Sequence, residues 1–271
     1  MLSAKVRNRP IRFLRIRMKL ITTFLLIIAF AVISSAQVKT PEPAAVRVPF
    51  EHSLQAVVVT TNGWNTMAGK AAIFERKNST SDWKMNGESF PVVVGRNGLA
   101  WAELLNGDID MAKIKYEGDG NSPAGLFPLT ASFGTSSKPN AVELPYTRLA
   151  EFTECVDDVK SFHYNRIVNR LQVGIFDWKS SEKMLAMGEQ YNLGVFVAYN
   201  SYPVEKGRGS CIFLHIWKDA LSGTSGCTAM ERRNLERIVA WASPAKNPYL
   251  VQMPKEIYDN RRKSWKLPKL K

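Results

Sequence analysis

The sequence predicts a mainly β protein with a few peripheral helices, and three observations support this prediction. Short runs of β-branched and apolar residues recur along the chain, separated by glycine, asparagine and proline. The composition, 45% hydrophobic with 14 prolines and 17 glycines, suits a folded domain with a full core. Helical periodicity is clearest near the C-terminal end, where apolar residues recur at helical spacing from Met230 to Ala242.

Residues 1–36 have the layout of a secretory signal peptide. Seven lysines and arginines precede an apolar run from Leu20 to Ile33, and the small residues Ser34 to Ala36 follow it. The apolar run is shorter than the roughly 20 residues that a membrane-spanning helix needs. We therefore expect cleavage after Ala36 and a mature protein that is exported to the periplasm or cell envelope. No nucleic-acid partner is expected in that compartment.

Three strands open the predicted β-rich domain, which covers residues 54–252 and follows a proline-containing linker at 37–53. These strands are LQAVVVTT from Leu54, KAAIFERK from Lys70 and FPVVVG from Phe90. The block at 116–134 is rich in glycine and proline and therefore predicts a loop. Residues 145–170 show a mixed pattern, in which CVDDVKSFHYNRIVNR from Cys155 predicts an irregular or briefly helical segment.

The second half of the domain alternates between helical and strand patterns. SSEKMLAMGEQY predicts a short helix capped by a serine, and LGVFVAYN and SCIFLHIW predict two strands, of which the second is fully buried. Thr228 and Glu231 fit a capping box, so a helix is predicted to begin directly after Cys227. A basic tail follows at 253–271.

The positive charge of the mature chain has two interpretations. Seven of the formal net +13 charges lie in the predicted signal peptide, which leaves about +6, and much of this is in the tail. The tail is either a solvated basic end or a segment attracted to an anionic polymer or membrane surface of the envelope.

His215 and Cys227 flank a polar loop, and two interpretations of them are open. A histidine in a buried strand is usually a satisfied core residue. The loop KDALSGTSGC is too polar to be core, however, and it places Cys227 at the predicted start of a helix. The helix dipole and unpaired N–H groups there would stabilise a thiolate, and backbone N–H groups around Gly226 would hold an oxyanion. A neutral His215 would accept the thiol proton.

The cysteine count leaves the disulfide state open. Three cysteines in an exported protein leave at least one unpaired, unless another chain supplies a partner. Cys155 and Cys211 form a disulfide while Cys227 stays free for its chemistry, or else they are two buried thiols. With three histidines and neither a CxxC pair nor an HExxH motif, the sequence predicts no metal site.

These motifs resemble the L,D-transpeptidase (YkuD-type) catalytic domain family, bacterial cell-wall enzymes with a cysteine nucleophile. The family signature is a histidine that ends a strand, a loop, and a Ser/Thr-His-Gly-Cys stretch, which His215 and Thr224 to Cys227 match. A second family block, Thr/Ser-Pro-x-Gly-x-Phe/Tyr, matches Ser122 to Phe127. The chain departs from the pattern at Ser225, where histidine is usual, at Ala229, where arginine is common, and in its shorter loop. It is thus similar to a branch with Ser-Gly-Cys.

The resemblance implies a β-sandwich or barrel catalytic domain with a groove over Cys227, and no cofactor. Cys227 would attack the bond between the diamino acid and D-Ala of a peptidoglycan tetrapeptide stem, with His215 as general base and acid. The thioester would pass to an amine of another stem and give a 3→3 cross-link. Backbone N–H groups of Gly226 and Ser225 would form the oxyanion hole.

Three further residues are candidates for the substrate groove, each with a structural alternative. Tyr199 lines the groove or ends a strand, Ser210 orients His215 or leaves that task to a backbone carbonyl, and Arg208 replaces the missing arginine or stays at the surface. Rival functions are an L,D-carboxypeptidase in which water resolves the thioester, a non-catalytic wall-binding domain, and a protein in which Cys227 pairs with another cysteine.

Overall fold

The computed structural model describes residues 49–102 and 114–270. The predicted signal peptide at 1–36 and most of the predicted linker at 37–53 lie outside the described residues. Fourteen strands are present in the described part: β1 (Gln55–Thr61), β2 (Ala68–Glu75), β3 (Lys84–Met85), β4 (Phe90–Val93), β5 (Leu99–Trp101), β6 (Ser122–Gly134), β7 (Tyr146–Arg148), β8 (Thr153–Val156), β9 (Ile167–Asn169), β10 (Ser181–Lys183), β11 (Leu193–Val197), β12 (Phe213–Ile216), β13 (Thr228–Met230) and β14 (Pro248–Pro254).

Eight of these strands pair in a closed ring, so the main sheet forms a barrel. The ring runs β1-β14-β6-β11-β12-β13-β4-β2 and returns to β1. The pairs β1–β14 and β12–β13 are parallel, and the other ring pairs are antiparallel. The predicted mainly β architecture with peripheral helices is therefore confirmed, in the form of a barrel rather than a sandwich.

The barrel core is built by strands that are buried along their whole length. Every residue of β1 and β14 is buried, which explains why neither sequence alternates between apolar and polar residues. Helix α1 (Arg232–Trp241) packs against β11 and β12 and buries Leu235, Ile238 and Val239 in the same core. Apolar residues three and four positions apart give α1 this one buried face.

A second, three-stranded sheet has the order β10-β8-β9 and spans Thr153 to Lys183. The disulfide bond between Cys155 in β8 and Cys211, two residues before β12, joins it to the barrel. Residues 155–170, predicted to be irregular or briefly helical, are irregular at 157–166, as predicted, but also contribute to β8 and β9. These short strands were missed because tertiary pairing decides the structure of short, mixed-propensity segments.

The predicted loop at 116–134 is also wrong, since most of it is the 13-residue strand β6. The loop was predicted in part from Pro123 and Pro128, yet both residues lie in β6. Strands β5, β7, β11 and β14 pair with different parts of β6. The carbonyl oxygens of these prolines still accept hydrogen bonds, from Gln252 Nε2 at 2.9 Å and from Ala198 N at 2.8 Å. Pairing on several sides thus outweighs the local preference of proline for turns.

The helix predicted after Cys227 is present, but its predicted start at Thr228 is wrong. Residues Thr228–Met230 form β13, and α1 begins at Arg232, with Glu231 as its N-cap and no side-chain cap. The Thr228 hydroxyl donates to Gln252 Oε1 at 2.7 Å instead of capping a helix. The serine-capped helix predicted further upstream is in fact β10 followed by a 3-10 segment, Met184–Tyr191, which Gly188 interrupts with a φ of 63°.

The C-terminal segment packs on the barrel. Helix α2 (Lys255–Arg261) contacts β14 and β1, and Tyr258 and Leu267 are buried in the core. The Tyr258 hydroxyl donates to the Pro268 carbonyl at 2.6 Å. The tail lysines Lys263, Lys266 and Lys269 remain exposed. None of the helices in the described ranges has the length and apolar character that crossing a bilayer requires.

Candidate active site

The backbone of Cys227 is fixed by two hydroxyl groups just before β13. Its carbonyl oxygen accepts hydrogen bonds from Ser122 Oγ at 2.8 Å and from Thr224 Oγ1 at 2.6 Å. Ser122, at the start of β6, is fully buried, and its oxygen also accepts the Gly95 N–H at 2.8 Å. The cysteine is therefore held from two directions, by β6 and by its own loop.

The thiol of Cys227 is buried and free. It donates to the Cys211 carbonyl at 3.4 Å and accepts the Phe213 N–H at 3.3 Å. Burial raises the pKa of this thiol, and the charge of Glu182 raises it further, whereas the Phe213 N–H has the opposite effect. The expected helix dipole is not present, because Cys227 precedes a strand. The dipole explanation for a thiolate was therefore wrong.

His215 lies on the same face of the sheet as Cys227. The register pairs Leu214 with Thr228 and His215 with Ala229, which puts Phe213 opposite Cys227 and the imidazole two residues further along β12. Its Nδ1 lies 2.8 Å from the Ile216 carbonyl oxygen. A carbonyl only accepts, so Nδ1 carries the proton and Nε2 keeps its lone pair.

The imidazole is neutral in this environment. Burial lowers the pKa of His215 to about 4, although the Ile216 carbonyl opposes that shift. Neutral His215 has the protonation state that a general base needs. Among the described residues, however, no hydrogen bond joins His215 to the Cys227 thiol.

Tyr191 and Glu182 complete the surroundings of the thiol, and the sequence analysis missed both. The Tyr191 ring packs edge-on against His215, with ring centroids 5.3 Å apart, and Tyr191 belongs to the same buried cluster as Cys227. The Tyr191 hydroxyl donates to Glu182 Oε2 at 2.6 Å. Both residues belong to the stretch that was predicted to be a peripheral helix. No local pattern in that stretch points to Cys227, which lies 36 or more positions away.

The expected oxyanion hole is altered at one position. The Gly226 N–H already donates to Thr224 Oγ1 at 3.1 Å, which occupies it. The Ser225 side chain is turned outward and accepts from Arg96 Nη1 at 3.1 Å. The backbone N–H groups of Ser225 and Cys227 are thus the candidates for holding an oxyanion in this loop.

A family model for the L,D-transpeptidase catalytic domain (YkuD) matches residues 70–255 of this chain. The match covers more than half of the chain and contains both Cys227 and His215. The chain belongs to this family. Comparison with curated proteins and with solved structures returned no significant match.

The three residues that were candidates for the substrate groove of this L,D-transpeptidase domain form hydrogen bonds with other residues and not with His215. Ser210 Oγ donates to Glu117 Oε2 at 2.7 Å, so the Ile216 carbonyl, not Ser210, orients the imidazole. The buried Tyr199 donates its hydroxyl to the Arg208 carbonyl. The Arg208 guanidinium donates to the Ala102 carbonyl at 3.3 Å. Ser210, Tyr199 and Arg208 are thus held by hydrogen bonds of their own.

A buried ion pair near the catalytic-domain loop also escaped the sequence analysis. Lys115 Nζ lies 2.6 Å from Asp119 Oδ1, and both side chains are almost completely buried. Asp119 also accepts the backbone N–H groups of Tyr116 and Asn121, so it shapes the turn as well as pairing with the lysine. The positive charge of Lys115 acts to lower the pKa of Cys227.

The disulfide bond between Cys155 and Cys211 leaves Cys227 as the free cysteine of this chain. The rival interpretation in which Cys227 pairs with another cysteine of the chain is therefore wrong. Within residues 49–102 and 114–270, no three His, Cys, Asp or Glu side chains cluster as metal ligands would.

Proposed function

We propose that this protein is an exported L,D-transpeptidase that cross-links peptidoglycan, with Cys227 as its nucleophile and His215 as general base and acid. The observation that supports this best is the placement of Cys227. Of three cysteines it is the one outside the disulfide, and it shares a sheet face with a neutral histidine inside the matched catalytic domain.

The proposed reaction has two acyl transfers. The Cys227 thiolate attacks the carbonyl between the diamino acid and D-Ala of a tetrapeptide stem, and the backbone N–H groups of Ser225 and Cys227 hold the oxyanion. In the proposed step His215 Nε2 takes the thiol proton as the sulfur attacks, and it returns this proton to the D-Ala nitrogen as the C–N bond breaks. D-Ala leaves as the neutral amine, and a thioester remains. An amine of a second stem attacks the thioester, and His215 Nε2 takes its proton and returns it to the departing sulfur.

The proposed location and partners follow from the sequence. The basic and apolar N-terminal layout supports export to the periplasm or cell envelope, where peptidoglycan stems are found. The exposed lysines of the C-terminal segment offer a positively charged contact for an anionic envelope surface.

Incubation of the mature protein with purified tetrapeptide muropeptides tests this function. We expect 3→3 cross-linked dimers together with free D-Ala, detected by liquid chromatography and mass spectrometry. The Cys227→Ala variant, which should fold normally, serves as the matched control and should give neither product. Tripeptides without dimers would identify an L,D-carboxypeptidase instead, and the absence of any product from a folded wild-type protein would favour a wall-binding domain.

A further inference from the structure

Arg96 lies directly beside residues 222–227, the loop that leads to Cys227. Its backbone N–H donates to the Thr224 carbonyl at 2.8 Å, and the Thr224 N–H donates to the Val94 carbonyl at 3.0 Å. Gly223 packs so closely that a Cβ atom at this position would lie 2.6 Å from Arg96 Cα. The backbone of Arg96 is therefore held against the residues that precede the nucleophile.

The side chain of Arg96 also contacts this loop. Its Nη1 donates to Ser225 Oγ at 3.1 Å, and Ser225 stands two residues before Cys227. A Cβ atom at Gly120 would lie 3.1 Å from Arg96 Nε, so the absence of a side chain at Gly120 leaves the guanidinium its place. Arg96 is exposed to solvent. The entrance to the loop therefore carries a positive charge that a ligand can reach.

Arg96 differs from two other cations near this site in having no carboxylate partner. Lys115 Nζ lies 2.6 Å from Asp119 Oδ1, and Arg208 Nε lies 3.8 Å from Glu205 Oε2. In the part of the chain that the structure describes, Arg96 forms no ion pair, and its side-chain partner is a neutral hydroxyl. Its charge is therefore available to an anionic ligand, and a planar guanidinium matches the geometry of a carboxylate.

The donor stem of the proposed reaction carries a carboxylate next to the bond that breaks. D-Ala ends the tetrapeptide, so its carboxylate is attached to the carbon atom that bears the scissile nitrogen. When the carbonyl carbon of this bond meets the Cys227 sulfur, the carboxylate lies close to the residues around Cys227. Residues 222–227 have no charged side chain of their own. Arg96 is thus the cation that meets an anion beside this loop.

We propose that Arg96 binds the terminal carboxylate of D-Ala in the donor stem and thereby selects stems that end in a free carboxylate. This role deepens the proposed function and rests on it, because it concerns the substrate of the same site. The Ser225 hydroxyl holds one N–H of the guanidinium, and the remaining N–H groups are left for the substrate. A stem that continues beyond D-Ala has a neutral peptide group at this place and binds more weakly.

The test compares two synthetic tetrapeptide stems, one with a free D-Ala carboxylate and one with the corresponding amide, by isothermal titration calorimetry. The mature protein carries Cys227→Ala in every case, so that no turnover occurs. With Arg96 present, the acid should bind about 10-fold more tightly than the amide. Arg96→Gln should bind the two stems equally, with its affinity for the amide unchanged. Arg96→Glu should reverse the preference, because its carboxylate repels the acid but not the amide.

Arg233→Gln is the matched control, because it removes an exposed arginine whose charge is already paired with Glu231 at 2.6 Å. This variant should keep the full preference for the acid. Arg96→Lys retains the charge without the planar fork and should keep part of the preference. Raising the ionic strength should reduce the preference of the protein that contains Arg96, since the proposed contact lies at the surface.

Equal binding of the acid and the amide by the protein with Arg96 would overturn the proposal, as would binding of neither stem. A preference for the acid that survives in Arg96→Gln would overturn it as well. Equal weakening of both stems in Arg96→Gln would show that Arg96 only supports the loop through Ser225. The sign of the preference in Arg96→Glu decides the matter if Arg96→Gln does not fold. Because binding is measured without turnover, failure of the wild-type protein to form dimers would reject the proposed function and leave this measurement intact.

Discussion

The barrel and the three-stranded sheet hold their polar side chains in different ways. In the barrel, backbone groups fix the reactive atoms: the thiol of Cys227 contacts Phe213 N and Cys211 O, and His215 contacts the Ile216 carbonyl. In the small sheet, other side chains hold the carboxylates of Glu154 and Glu182. The backbone partners of the thiol and the imidazole carry no titratable group, whereas Glu154 and Glu182 are themselves titratable. The barrel therefore supplies a fixed geometry, and the small sheet places carboxylates whose charge depends on pH beside it.

Replacing His215, the histidine of the barrel strand β12, should have the largest effect on the reaction. His215→Gln removes the proposed general base, so we expect formation of 3→3 dimers to fall by about 10²- to 10⁴-fold. Acylation of Cys227 by a carbapenem, measured by intact-protein mass spectrometry, should fall as well, because the same imidazole takes the thiol proton in the proposed reaction. His163→Gln provides the same substitution at a half-buried position, where the ring contacts the Ile175 carbonyl. Unchanged acylation would show that His215 is not the base for Cys227.

Breaking the covalent link between the two sheets should have the next largest effect. The double variant Cys155→Ala, Cys211→Ala should lose about 2–5 kcal/mol of unfolding free energy, measured by urea denaturation. Because the carbonyl of Cys211 accepts the Cys227 thiol, acylation of Cys227 should also slow in the folded variant. The Cys227→Ala variant, which keeps the disulfide, is the control for stability. Unchanged acylation would mean that the thiol is positioned without help from the disulfide.

The sequence predicted five of the eight barrel strands but missed β6, β13, β14 and the whole small sheet, for a physical reason. Strands such as Gln55–Thr61 and Phe213–Ile216 are buried on both faces, so their apolar runs are visible in the sequence itself. The strands of the small sheet have three or four residues, and their pairing depends on partners and on a disulfide that no local window contains. Short strands with charged residues resemble loops or helix ends.

The residues of the candidate site also fall into two groups, those that the sequence predicted and those that it missed. Cys227 and His215 stand in a recognisable motif, so the sequence singled them out. Glu182 and Tyr191 were missed because they contact the motif only through the folded structure. The error at Thr228 is instructive, since its capping-box pattern is real but its hydroxyl bonds to Gln252 in the barrel. A motif identifies the nucleophile, and the tertiary structure identifies what surrounds it.

A smaller effect is expected where the barrel holds the backbone of the nucleophile. Ser122→Ala removes the buried hydroxyl that joins Gly95 N to the Cys227 carbonyl, so we expect a loss of about 1–3 kcal/mol in unfolding free energy. Acylation should slow modestly, because Thr224 still donates to that carbonyl. Ser264→Ala, at an exposed serine of the C-terminal segment, should change stability by less than about 0.5 kcal/mol. Equal stability of the two variants would show that the Ser122 contacts do not hold the site.

The smallest expected effect concerns the pH dependence of the unfolding free energy, to which Glu182 and Glu154 of the small sheet should contribute differently. Burial raises the pKa of Glu182 to about 7. Burial also acts to raise the pKa of Glu154, but hydrogen bonds from Lys183, Ser181 and Trp178 bring it below its ordinary value. The stability that Glu182 contributes is therefore fully present below its unfolded pKa and is lost as pH rises through about 7. The contribution of Glu154 has the opposite sign, because it is present above the unfolded pKa and is lost as pH falls through the folded one.

Urea unfolding of Glu182→Gln and Glu154→Gln across this pH range measures both contributions against the wild-type protein. The stability deficit of Glu182→Gln should shrink as pH rises through about 7, and that of Glu154→Gln should shrink as the medium becomes acidic. Glu189→Gln, whose carboxylate is exposed, is the control for the substitution itself. Two deficits that changed in the same direction with pH would mean that Glu182 is ionised like an ordinary surface carboxylate. The carboxylate beside the Tyr191 hydroxyl would then be charged at neutral pH, and burial in the small sheet would not set its protonation state.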